Sequence, residues 1–83
     1  MSYEKVAQVN IEKIIGTKQV LKAIKNGEAT EVIIASDADT QLMGKVSQAA
    51  KNHNIPISYV DSMKKLGKTC GIDVGAATVA IKQ

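Results

Sequence analysis

Apolar positions in this chain follow two rhythms: short unbroken aliphatic runs, and longer stretches in which they return every third or fourth residue. The opening MSYEKVAQVN predicts a short helix with Val6 and Val9 inward, followed by a brief strand through Ile11, Ile14 and Ile15. Gly16 breaks that pattern, and Thr17 stands where an N-cap oxygen accepts from the orphan amides of a following helix, which Asn26-Gly27 closes. EVIIA at 31–35 is a β-branched run of strand length without alternation, the mark of a central strand buried on both faces. A polar turn at 36–40 leads into Leu42, Met43, Val46, Ala49 and Ala50 at helical spacing, ending at Asn52-His53-Asn54. Pro56 opens a strand over 57–60, since proline is tolerated at a strand's first residue. Asp61 and Ser62 are N-cap candidates for a short helix through Met63, Lys64 and Lys65 that Gly67 terminates, and AATVAI at 76–81 is the last strand. Helix and strand alternate over residues 1–83 without repeats or linkers. The expected fold class is α/β: a single domain forming a three-layer α/β/α sandwich around a four-stranded mixed sheet, its strand order left open by the pattern.

Composition narrows what such a fold can do. A chain of 83 residues buries only about 60–65% of the surface that its unfolded state exposes. With 45% hydrophobic and 23% charged residues it is nevertheless a folding sequence and not a disordered one. It has no Trp or Phe, and only Tyr3 and Tyr59 among aromatics. A base-stacking platform for single-stranded nucleic acid, where each aromatic contributes about 1–3 kcal/mol, is therefore not expected. The net charge of +3 and pI near 9.1 lean modestly toward an anionic partner. Cys70, the single cysteine, cannot form an internal disulfide and reads as a small apolar residue. No apolar run approaches the ~20 residues of a membrane span, and no signal peptide opens the chain, so a soluble cytoplasmic monomer without cofactor or metal is the expectation.

Gly67-Lys68-Thr69 invites a nucleotide reading, because these three residues end the phosphate-binding loop of many nucleoside triphosphatases. The setting argues against it. Ser62 occupies the place of the required first glycine, and Gly71 and Gly75 would break the helix that must follow. His53, the only histidine, falls at a helix C-terminus and reads as a cap. Asp37 and Asp39, two apart after a strand, could hold a metal with phosphate, but turn and cap preferences favour a turn whose carboxylates cap the next helix. No nucleophile with base and orienting partner stands out, and an enzyme is disfavoured.

GTKQVLKAIK at 16–25 is more informative. At about 100° per residue, Lys18, Lys22 and Lys25 fall within roughly 60° of one another while Val20, Leu21, Ala23 and Ile24 take the other side. Such a stripe is commonly a solvated face, yet Lys18 and Gln19 lie in the first turn, beside free amides at the positive end of the helix dipole. A second segment adds to this: Lys64, Lys65 and Lys68 precede Gly71-Ile72-Asp73-Val74-Gly75, where two aliphatics stand between glycines. Apolar residues beside cations suit a partner presenting both phosphates and a base face.

GTKQVLK, EVIIASDAD and LGKTCGIDVGAATVAI, in this order and spacing, resemble the kink-turn-binding ribosomal proteins of the archaeal L-seven-Ae type, with the eukaryotic L-thirty-e type as cousins. The similarity covers nearly the whole chain and is greatest to the short bacterial YbxF/YlxQ-type members. It implies an α/β/α sandwich that grips a kink-turn, an RNA helix bent at a three-nucleotide bulge beside tandem sheared G·A pairs, in ribosomal RNA or a riboswitch-like RNA. In such proteins a Gly-Thr-Asn-Glu-x-x-Lys helix start and an aliphatic loop before the last strand contact the RNA. Gly16, Thr17 and Lys22 match that pattern, whereas Lys18 replaces the Asn and Gln19 the Glu. The resemblance implies that Lys18 and Gln19 contact the G·A guanines, that Lys22 contacts phosphate or guanine, and that Ile72 and Val74 cover an extruded nucleotide beside Asp73 and Gly75. Asp39 and Met43 match positions near the flipped base; Met63 departs from a common lysine, with Lys64 as a substitute. Two other readings remain open on the residues themselves: a protein-docking module built on Ile72 and Val74, and a small nucleotide enzyme using Lys68.

Overall fold

The structure, a computed structural model, describes residues 12–82. Strands β1 (Lys13–Ile15), β2 (Ala29–Ala35), β3 (Ile57–Val60) and β4 (Thr78–Lys82) are interleaved with helices α1 (Thr17–Lys25), α2 (Thr40–Asn52) and α3 (Met63–Thr69). The helix expected around Val6 and Val9, and Ile11 of the first strand, lie outside the described residues.

The sheet has the order β1-β4-β2-β3. β4 runs antiparallel to both β1 and β2, while β3 joins β2 in parallel. This is the mixed four-stranded sheet expected. Its registers have a geometric consequence: Ile15 lies opposite Val79, Ile34 opposite Thr78, and Ala35 opposite Val60. The C-terminal ends of β1, β2 and β3 and the N-terminal end of β4 therefore share one edge. Each helix follows one of those three strands directly, so all three helix N-termini gather there.

The two faces of the EVIIA run separate as its lack of alternation requires. Val32 and Ile34, with Ala80, pack against Val20, Ala23 and Ile24 of α1 and Val46 and Ala50 of α2. Ile33 and Ala35, with Val79 and Ile81, pack against Leu66 of α3. Ile24, Ile33, Ile34 and Leu66 are fully buried, and each such side chain contributes about 1.5–3 kcal/mol relative to exposure. The result is a sheet between two layers of helix.

Four boundaries differ from the sequence reading, the simplest being that β2 begins at Ala29, two residues before the EVIIA run. The N-cap of α1 is Gly16, with φ 106° and ψ 142°, and Thr17 is its first helical residue. That left-handed φ demands glycine, which the composition of the segment did not reveal. Gly67 does not end α3, which continues to Thr69 with Cys70 as C-cap. β4 begins at Thr78, leaving Ala76 and Ala77 in the preceding loop. By contrast, α1 and α2 stop where expected: the Glu28 N–H donates to the Ala23 carbonyl (2.9 Å) and the Ile55 N–H to the Ala50 carbonyl (2.8 Å), the six-to-one bond of a helix closed by a left-handed residue.

Thr78 is the buried polar side chain of this core, and its Oγ1 has no partner among the described residues. An unpaired buried hydroxyl costs about 1–3 kcal/mol. Thr78→Val keeps the branched shape and should raise the unfolding free energy by about 1 kcal/mol, measured as a higher urea midpoint at unchanged m-value.

Candidate nucleic-acid interface

At the shared edge, α1 starts without a side-chain cap. The Gly16 N–H donates to the Thr78 carbonyl (3.3 Å) and its own carbonyl accepts from the Val20 N–H (2.9 Å), which anchors the entry of the helix to β4. Glycine supplies no capping oxygen, and the first turn holds no acidic residue. Orphan amides thus stand uncovered at the positive end of the dipole. Val20, Ala23 and Ile24 are buried while Lys18, Gln19, Lys22 and Lys25 are exposed, so the lysine stripe is real.

The 36–39 turn divides its two carboxylates between two helices. Asp39 caps α2, its Oδ1 accepting from the Gln41 N–H (2.8 Å) and, more weakly, from the Leu42 N–H (3.4 Å). Asp37 does not cap the next helix: its Oδ1 accepts the Met63 N–H of α3 (2.9 Å), 26 residues away in sequence. Among the described residues no cluster of three potential metal ligands forms. A cleft of about 380 Å³ between the starts of α1 and α2 is lined by Thr17, Lys18, Leu21, Asp39, Gln41, Leu42 and Lys45. It brings Lys18 beside Asp39. It also adds Lys45, which sequence reasoning missed, although Gln41 and Lys45 lie one helical turn apart and share a face. Met43, also on α2, is not among the residues lining this cleft and packs against the core.

On the other side of the sheet, α3 leads into the 71–77 loop through a backbone-determined turn. Gly71 has φ 81°, its N–H donates to the Lys68 carbonyl (3.0 Å), and the Ile72 N–H donates to the Gly67 carbonyl (3.0 Å). Ile72, half-buried, packs against the cluster that holds Leu66. Val74 is left 70% exposed. The loop then returns across α3: the Ala76 N–H donates to the Met63 carbonyl (3.0 Å), and the Ala35 N–H donates to the Ala77 carbonyl (2.9 Å). Lys64, Lys68, Ile72, Asp73, Val74 and Gly75 line a depression of about 150 Å³.

Gly67 has a role that the tripeptide motif concealed. A Cβ built on it would overlap the Val74 carbonyl oxygen and lie 3.1 Å from the Gly75 Cα, so only glycine lets the loop lie down on the helix. Lys68 is an exposed cation beside that loop, and the Thr69 hydroxyl donates to the Lys65 carbonyl (2.8 Å). Gly67-Lys68-Thr69 thus ends a helix instead of preceding one, an arrangement that aims no free amides at a phosphate. Cys70 is only half-buried and packs beside the same cluster; burial pushes its thiol pKa up, with the nearby Lys13 charge opposing.

His53 lies at the far end of α2, its Nδ1 3.0 Å from the Ala49 carbonyl. A helix of 13 residues places it roughly 20 Å from the edge where the other groups meet.

Two outcomes follow. Gly67→Ala gains about 1 kcal/mol of helix propensity but forces the Val74 carbonyl away at up to about 3 kcal/mol; a net loss of about 2 kcal/mol is expected in urea unfolding. The raised thiol pKa keeps Cys70 protonated to higher pH, so its iodoacetamide alkylation in the folded protein should be slower at pH 7.5 than in urea, with a rate profile displaced upward in pH.

A family model for the "Ribosomal protein L7Ae/L30e/S12e/Gadd45 family" matches residues 1–83. The chain is 60% identical over 83 residues to a protein of Halalkalibacterium halodurans named RNA-binding protein BH0128, covering 100% of both. It is also 60% identical over 81 residues to the RNA-binding protein YbxF of Geobacillus stearothermophilus, covering 98% of each. Among solved structures, the Giardia lamblia 15.5kD RNA binding protein superposes with a TM-score of 0.85 at 26% identity, covering 98% of this chain and 68% of that one. A Bacillus halodurans protein of unknown function superposes equally well, with a TM-score of 0.85 at 27% identity over 98% of this chain and 80% of that one. With its sandwich, its glycine-started helix and its glycine-flanked aliphatic loop, the chain belongs to the L7Ae/L30e/S12e/Gadd45 family of ribosomal proteins.

Proposed function

We propose that this protein is a monomeric cytoplasmic RNA-structure clamp that recognises kink-turns, with residues 1–83 as one RNA-binding domain. It is an RNA-binding protein and not an enzyme, as the family and the names of its relatives support. The observation that carries the finer reading is the pairing, on one sheet edge, of an acid-free, uncapped helix start bearing Lys18 and Gln19 with a loop exposing Val74. Phosphates and polar base edges are served by the first element, and an unstacked base by the second.

A sheared G·A pair leaves the guanine O6 and N7 acceptors open, and the Lys18 ammonium donates to them where an Asn amide would. Gln19 contributes hydrogen bonds without a negative charge, and Lys22, one turn on, contacts phosphate or guanine. Lys45, across the cleft, adds a second cation. Val74 covers the extruded nucleotide, while Ile72 supports it from the core and Asp73 and Gly75 complete the loop. Asp39 acts by fixing the start of α2 beside Lys18, with Met43 of that helix packed against the core. Lys64 supplies the cation beside Met63. The eleven basic residues are all lysines, point charges suited to phosphate more than to bidentate base readout.

The mechanism is conformational. Free kink-turns populate extended forms, and a protein that binds only the kinked form shifts that equilibrium by its differential affinity. Ribosomal RNA and other structured RNAs both supply such motifs.

The test is a fluorescence-transfer titration of an end-labelled kink-turn duplex beside a duplex whose G·A pairs are replaced by Watson–Crick pairs. Wild type should fold only the first, with affinity falling as salt rises. Lys18→Ala/Gln19→Ala should weaken that folding by roughly ten-fold or more. Equal binding to both duplexes would reduce the lysines to nonspecific attraction, and no binding at low salt would leave Val74 to a protein partner.

A further inference from the structure

The main chain of Met63 is gripped from two sides. Its N–H is held by the Asp37 carboxylate (2.9 Å), and its carbonyl accepts the Ala76 N–H (3.0 Å). Gly75 lies directly against it: a Cβ built there would stand 3.3 Å from the Met63 Cβ and 3.5 Å from its carbonyl. One residue therefore joins the turn after β2 to the return limb of the 71–77 loop. The outgoing limb is fixed separately, by the Ile72 N–H on the Gly67 carbonyl and by the Val74 carbonyl against Gly67.

We infer that Asp37 is a positioning residue for the loop that presents Val74, acting on it through the backbone of Met63. The inference rests on the kink-turn reading for its functional consequence and on hydrogen bonds alone for its structural one. Asp37 is exposed and carries a negative charge at the edge where RNA phosphates would lie, so as a bystander it would repel the ligand. Its place is accounted for by the Met63 N–H that it accepts at the positive end of α3. By holding Met63 it keeps the return limb seated before RNA arrives, and a loop already ordered loses less conformational entropy on covering a base.

The two roles predict opposite signs, which makes the test decisive. Asp37→Ala removes both charge and acceptor, whereas Asp37→Asn removes only the charge and keeps a carbonyl oxygen for the Met63 N–H. Positioning predicts that Asp37→Ala weakens kink-turn binding about ten-fold, that Asp37→Asn stays within about two-fold of wild type, and that the salt slope is the same in all three. In the free protein, amide hydrogen exchange should accelerate at Met63 and Ala76 in Asp37→Ala and not in Asp37→Asn, with the amides of β2 and β4 unchanged. Tighter or equal binding by both variants would overturn the proposal, leaving Asp37 a like charge. Equal weakening of both would also overturn it, in favour of a direct need for the carboxylate. Should wild type itself fail to fold the kink-turn, the functional reading falls; exchange at Met63 and Ala76 then decides the positioning role, and unchanged rates in Asp37→Ala would end it.

Discussion

The arrangement of this protein depends on β4 being antiparallel to both of its neighbours. With β3 parallel to β2, that pairing is what sends three strand C-termini to one edge, and hence three helix starts with them. Had β4 run the other way, the 71–77 loop would enter from the opposite end, far from Lys18 and Gln19. Hydrophobic burial on both faces of β2 holds the layers together, but it does not choose between those two outcomes. The choice lies in the ladder, with Gly16 and Ala35 both donating to the residues that lead into β4, Thr78 and Ala77.

Electrostatics at that edge is organised around the helix starts. None of the three described helices has an acidic residue in its first turn, and of the carboxylates nearby, Asp37 and Asp39 are directed at backbone amides while Asp61 and Asp73 lie in the connections on either side of α3. The charge of Asp37 and Asp39 is thereby partly neutralised by N–H dipoles while the lysines remain in solvent. At the opposite end, Lys25 and Lys51 sit in last turns, where a cation offsets the negative pole of its own helix. A chain with a net charge of only +3 thus sets its lysines among carboxylates at that edge, with Lys18 and Lys45 beside the uncapped start of α1.

Much of this was legible in the residues, and the failures share a cause. The double-sided burial of 31–35, the lysine stripe opposite Val20 and Ile24, and the stops at Asn26-Gly27 and Asn54 all follow from local periodicity and local conformational preference. The function of Gly67 did not, because its reason lies seven and eight residues ahead, in the Val74 carbonyl and the Gly75 Cα. A glycine near a helix end reads as a terminator unless the returning backbone is known. The same applies to Asp37, whose partner is 26 residues distant, and to Thr17, displaced from the cap by a neighbour with positive φ. Lys45 was missed for a different reason: it flanks the apolar stripe of α2, and periodicity marks the core-facing positions without saying which flank borders another helix. Close approaches of backbone to backbone are determined by tertiary structure, and a single sequence records them only as unexplained glycines.

The loop that carries Val74 is held by main-chain groups, with amides on the Gly67, Lys68 and Met63 carbonyls and glycines where chains touch, and by Ile72 and Ala76 packed on the core. The side chains of Asp73 and Val74, both exposed, are no part of that wiring. They are exchangeable in a way that the glycines around them are not. A change at the tip alters what the loop touches without altering where it runs, so the contact surface can vary at little cost in folding, a division between wiring and tip that leaves the scaffold intact while its exposed chemistry changes.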